Sequence, residues 1–172
     1  MEMTATMAAD AASQERFSQM VERHRRIIFK VANTYGHRPE DRDDLAQEIA
    51  AQLWRAFPGY DQTRSFSTWM YRIALNVAIS HVRSAARHGT HAVALDADLH
   101  DMPADQGAGH ETDQQVRALH RFIAQLGKLD RALLLLYLED HGYRQIAEIL
   151  GITETNVATK INRLKQRIRN EI

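Results

Sequence analysis

Asn156, Thr159, Lys160, Arg163 and Arg167 share the polar side of one segment, NVATKINRLKQRIR. An amide can donate and accept at a base edge, a hydroxyl can serve either role, and a guanidinium or ammonium pairs with phosphate or guanine. Thr155 falls in the first turn of the same segment, where backbone N–H groups can approach a phosphate, and Thr153 is placed to cap it. On the other side Val157, Ile161, Leu164 and Ile168 recur at spacings of four, three and four, one apolar stripe of a helix. Just before it, Ile146, Ala147 and Leu150 mark one side of a shorter helix, and Gly151 sits where the chain must turn. A polar-faced helix held by a partner across a glycine turn suits insertion into a DNA major groove. The residues predict a DNA reader.

The rest of the chain must position that reader. Its 172 residues suffice for one medium domain or two small ones, and 44% hydrophobic content with only 3 prolines allows packed cores of long helices. Cysteine is absent, which removes disulfides and thiolate metal sites. The longest continuous apolar run, Ala132 to Leu138, falls far short of the roughly 18 residues of a membrane span. We therefore expect a soluble, cytoplasmic chain with no direct membrane insertion.

Formal net charge is +0, an unusual balance for a nucleic-acid binder, but the charge is unevenly divided. Residues 89–115 carry Asp96, Asp98, Asp101, Asp105, Glu111 and Asp113 without one Lys or Arg, whereas 116–172 carry 10 basic and 6 acidic residues. An acidic middle offsets a basic end, which predicts weak non-specific affinity for DNA and a larger partner supplying most of the electrostatic grip.

Periodicity organises the chain as all-α, with two small helical domains joined by a flexible acidic linker. The first twelve residues look like a frayed tail, and Phe17 to about Tyr35 reads as a helix broken at Gly36–Pro39. A second helix starts near Pro39 with Glu40, Asp41, Asp43 and Asp44 early, carries Leu45, Ile49, Leu53 and Trp54 on its apolar face, and stops at Pro58. A third, FSTWMYRIALNVAISHVRSAAR, places Trp69, Ile73 and Val77 on one stripe. Residues 89–112 read as the linker. Two further helices, VRALHRFIAQL and RALLLLYLE, then precede the reader, so the domains span 13–88 and 113–172.

In this order the segments EDRDDLAQEIAAQLWRAF, FSTWMYRIALNVAISHVR and YRQIAEILGITETNVATKINRLKQRIR resemble the sigma-70 family of bacterial RNA polymerase initiation factors, and its small extracytoplasmic-function (ECF) members in particular. The resemblance covers about residues 13–88 and 113–170. It implies a factor that binds core RNA polymerase, directs it to specific promoters and assists promoter opening. By the same resemblance the first segment is the polymerase-binding helix, with Asp44, Leu45, Gln47 and Glu48 at the matching positions. The second is the promoter-melting and −10-reading segment, with Tyr71, Arg72, Asn76 and Arg83 as DNA candidates. The loop PGYDQTRS matches the place where small members capture a flipped −10 base, so Tyr60 is expected either to stack on that base or to pack on Pro58. The third segment is the −35 reader. A cognate anti-sigma factor is implied as a further partner, holding the protein in the cytoplasm or near the membrane. Ser80 and His81 depart from common family residues, which puts the implied base contacts near Ser80 in doubt, and Ala158 is a further departure whose methyl either contacts thymine or removes a phosphate contact.

Enzymatic chemistry finds no support. Glycine-rich phosphate loops, dinucleotide signatures and a Gly-flanked nucleophilic serine are all missing, and His88 and His91 straddle Gly89 without a metal-binding context. No catalytic residue, metal or cofactor is expected. Two other readings share the helix-turn-helix. A stand-alone regulator would dimerise on a palindromic site, and a sigma-like decoy would bind polymerase without initiating.

Overall fold

The computed structural model describes residues 2–87 and 110–172, with side chains over 8–84 and 113–172. The described residues are all-α and form two helical clusters. The first comprises α1 (Glu2–Tyr35), α2 (Pro39–Ala56), a single 3-10 turn at Phe57–Gly59 and α3 (Phe66–Arg87). The second comprises α4 (His110–Gln125), α5 (Lys128–Leu138), α6 (Tyr143–Leu150) and α7 (Glu154–Glu171). Residues 89–109 of the expected linker lie outside the described residues, whereas 110–112 already belong to α4. The frayed tail is not observed. Its Ala-rich, Gly- and Pro-free sequence continues α1 back to Glu2, in keeping with high helix propensity.

Local chemistry sets the remaining boundaries. Pro39 opens α2, where its missing N–H costs nothing, and the Arg38 N–H donates to Asp41 Oδ2 at 3.2 Å. The turn before it is tight, because a Cβ on Gly36 would lie 2.7 Å from Arg42 Cγ and 2.9 Å from the Ala32 carbonyl oxygen. Only glycine fits there. Gly151 ends α6 in the left-handed region at φ 67°, and its N–H donates to the Ala147 carbonyl at 2.9 Å.

Leu45, Ile49 and Leu53 of α2 are fully buried against α1 and α3, and Leu133, Leu136, Ile146, Val157 and Ile161 form the centre of the second cluster. The inward stripe of α3 is rotated from the expected one. Met70, Ala74, Leu75 and Ala78 are its most buried residues, while Trp69, Ile73 and Val77 are half-buried and Ser80 is exposed. The rotation has a cause: α3 packs against α1 and α2 and also meets α5 and α6.

The two clusters therefore dock on one another. Arg131 of α5 is their main clasp, only 8% exposed. Its Nη1 donates to the Thr34 carbonyl of α1 at 3.4 Å, and its Nη2 to the carbonyls of Ala124 and Leu126 at 2.9 and 3.1 Å. The guanidinium carbon stands 5.3 Å from the Tyr35 ring centre, and the Tyr35 hydroxyl donates to the Lys128 carbonyl at 2.7 Å. Burial pushes that hydroxyl far above its ordinary pKa, which keeps it a donor. Lys30 of α1 pairs with Glu139 at the end of α5. Asp140 then adopts φ 61°, and the next residue, His141, sets its ring edge-on to Tyr71 of α3 at 5.0 Å.

Candidate nucleic-acid interface

On α7 the expected capping is present: Thr153 Oγ1 accepts from the Asn156 N–H at 3.1 Å. That cap fixes where the helix begins, and the buried Val157, Ile161 and Leu164 fix which way it faces. Thr155, Asn156, Thr159, Arg163 and Arg167 are consequently exposed together. They differ in freedom. Thr159 Oγ1 donates to its own helix at the Thr155 carbonyl, 3.0 Å away. Arg167 lies over the Phe122 ring at 5.1 Å and bonds Glu171 at 3.0 Å. Lys160 is half-buried and reaches Asp130 of α5 at 3.2 Å, which ties α7 to its supporting helix. Lys165 sits over the Tyr137 ring at 4.6 Å, and a hydrogen bond with Tyr137 raises its pKa. The side chains of Asn156 and Arg163 have no partner among the described residues and are freest to meet a ligand. Ala158 is half-buried, turned partly away from this face.

The other candidate surface runs along α3 and the loop before it. Arg72, Asn76 and Arg83 are exposed as expected, whereas His81 is half-buried. Tyr71 does not present its ring to solvent. It is 3% exposed beneath His141, and burial raises its hydroxyl pKa to about 12. The period of α3 alone gave no sign of this, because the covering residue comes from the other cluster.

Tyr60 belongs to an aromatic cluster that cements the loop. Its ring centre lies 5.0 Å from Trp69, 5.3 Å from Phe66 and 6.2 Å from Phe57, stacked on the last. Its hydroxyl donates to the Arg64 carbonyl at 2.6 Å. Thr63 donates to Asp61 Oδ1 through its hydroxyl at 2.7 Å and its N–H at 3.0 Å, which holds the Asp61 carboxyl below the usual range. Tyr60 keeps one side free. With Arg64, Trp69 and Arg72 it lines a cleft of about 320 Å³. Sequence reasoning missed Arg64 and Trp69 as cleft residues: only the fold of the loop brings them beside Tyr60 and Arg72.

On α2, Asp44, Gln47 and Glu48 are exposed on the outer side, spaced to share one face. Leu45 is a correction. It is fully buried in the core and cannot touch a partner directly. Trp54, expected in the apolar stripe, is instead 44% exposed at the far end of that outer face, one edge on Phe17 at 5.1 Å. Among the described residues no cluster of His, Asp or Glu could hold a metal ion, and no helix is long and apolar enough to cross a membrane.

Residues 20–88 match the family of Sigma-70 region 2, and residues 116–168 match Sigma-70, region 4. The chain belongs to the sigma-70 family, as an ECF-type sigma factor. The factor is 29% identical over 174 residues to the RNA polymerase sigma factor CnrH of Cupriavidus metallidurans, covering 94% of this chain and 90% of that protein. It is 24% identical over 170 residues to the ECF RNA polymerase sigma factor SigW of Bacillus subtilis, covering 92% and 90%. With the probable RNA polymerase sigma factor RfaY of Xanthomonas campestris pv. campestris it shares 26% identity over 95% of this chain, but spans only 42% of that longer protein. Its fold matches CnrH in complex with the cytosolic domain of CnrY at a TM-score of 0.65, with 23% identity over 96% of this chain and 94% of that one. It also matches the sigma factor RpoE in complex with the anti-sigma factor NepR from Bartonella quintana at 0.75, with 16% identity over 91% and 96%.

Proposed function

We propose that this sigma factor binds core RNA polymerase through the outer face of α2, reads a −35 element with α7 and engages a −10 element with α3 and the loop at Tyr60. The observation that supports this most is the pairing of two outward polar faces in one chain, one on each family segment. Asp44, Gln47 and Glu48 offer carboxylates and an amide to a basic partner surface. Thr155, Asn156, Thr159, Lys160, Arg163 and Arg167 offer base and phosphate contacts, with α6 and α7 acting as a helix-turn-helix. Arg72, Asn76 and Arg83 line the −10 side with Tyr60, and Tyr71 joins them only if the clusters part. In domain terms, 13–88 is the polymerase and −10 domain and 113–172 the −35 domain, with 89–112 joining them in the sequence. The factor acts without catalytic chemistry, by binding and by trapping unstacked bases. A cognate anti-sigma factor restrains it in the cytoplasm. Support for that partner comes from the shared fold of the two solved complexes.

The test is promoter-specific transcription with bacterial core polymerase on fragments of the source genome. We expect defined starts preceded by a shared two-part motif. Arg163→Ala should keep core binding and lose roughly 1–3 kcal/mol of promoter affinity. Absence of both starts and core binding would leave a stand-alone regulator, and core binding without starts would leave a decoy.

A further inference from the structure

The cleft beside Tyr60 is not walled by the first cluster alone. Glu148 of α6, a residue of the DNA-reading second cluster, forms part of its lining, and its Oε1 lies 3.5 Å from Arg64 Nη1. Arg64 also stands 3.8 Å from Asp61 of its own loop. Two arginines, Arg64 and Arg72, thus face two carboxylates, Asp61 and Glu148, around one cleft. The closed cleft carries balanced charge. If α6 moves away, one carboxylate leaves and the cleft becomes net positive, beside the single aromatic wall that Tyr60 and Trp69 form together. A cationic, aromatic slot of this size fits one unpaired nucleotide, the base against the rings and the phosphate on the guanidinium.

We propose that Arg64 is a further binding residue for single-stranded DNA, and that Glu148 occupies it in the docked molecule as a stand-in for the strand phosphate. This rests on the reading of α3 and its loop as a DNA-engaging surface. The carboxylate and the phosphate compete for the same guanidinium, so the strand gains full access only when the second cluster swings off the first. That movement is the one required if α7 and the loop are to serve two separate DNA elements. The pair is half-exposed, 62% and 50% by side chain, so the competition is a bias and not a lock.

The experiment is a double-mutant cycle on the full chain, read by fluorescence anisotropy with a fluorescein-labelled, mixed-sequence single-stranded DNA at low salt. Glu148→Gln should tighten binding roughly two- to fivefold, the range expected for an exposed ion pair. Arg64→Gln should weaken binding and abolish the gain from Glu148→Gln. Added salt should shrink the gain. No tightening by Glu148→Gln would overturn the proposal, as would equal tightening with and without Arg64, which would mark a general charge effect. Promoter-specific transcription separates the two claims. Starts that persist while the cycle shows no coupling would sink the gate and leave the initiation reading standing. Coupling without core binding or starts would sink that reading and leave the Arg64–Glu148 competition intact.

Discussion

The two candidate DNA-binding surfaces differ in how much of each is already engaged within the protein. On α7 the candidate face is exposed apart from Lys160, its engagements are with the second cluster alone, and its orientation follows from a buried stripe and an N-cap within the same helix segment. On α3 and its loop, the candidate residues are divided among three fates. Arg72, Asn76 and Arg83 are open, Tyr60 is pinned in an aromatic cluster, and Tyr71 is covered by a residue 70 positions away. A helix that packs on one side exposes the other side predictably. A helix wedged between two clusters does not, because its outer face for one partner is the inner face for the next.

That contrast can be broken at the core first. Leu45→Ala should destabilise the fold by about 3 kcal/mol, measured by urea unfolding, because it leaves a cavity in a fully buried site. Gln47→Ala and Glu48→Ala, on the exposed face, should change stability by less than about 0.5 kcal/mol. If Leu45→Ala lost polymerase binding without losing stability, the burial argument would fail. Arg131→Met comes next, at roughly 2–3 kcal/mol, since it strips three carbonyls of a charged donor at the junction. Limited proteolysis of that variant should cut between the clusters sooner, and unchanged cutting would mean that the clasp is not what joins them.

Thr153→Ala should cost about 1 kcal/mol by removing the cap, visible as a lower thermal midpoint, and should leave the α3 surface untouched. The smallest effect is pH-dependent. Burial against Tyr71 lowers the His141 pKa from its ordinary 6.5, so the docked state favours neutral imidazole. Stability from this contact is therefore present above pH 6.5 and is lost as the pH falls through the lower folded pKa. His141→Gln should flatten that part of the pH profile. An unchanged profile would place the acid sensitivity elsewhere.

Several features were legible without coordinates because they depend on neighbours in the chain. The stripe at Val157, Ile161 and Leu164, the turn at Gly151, the cap at Thr153 and the start of α2 at Pro39 each rest on contacts a few residues apart. Periodicity of that range is written directly in residue order. At Leu45 periodicity and packing agree on the core, whereas the family resemblance alone placed it at a partner surface. Local reading failed at the first twelve residues, where the Ala-rich sequence propagates α1 to Glu2 although chain ends commonly fray.

By itself the sequence determined the all-α class, the breaks at Pro39 and Gly151 and the outward face of α7, since hydrogen bonding and burial within one helix repeat with its own turn. Only the tertiary structure decided that the clusters dock, that Tyr71 is hidden and that Arg64 faces Glu148. Those contacts join residues 70 to 109 positions apart. Their geometry is set by how whole helices pack, which no local spacing encodes.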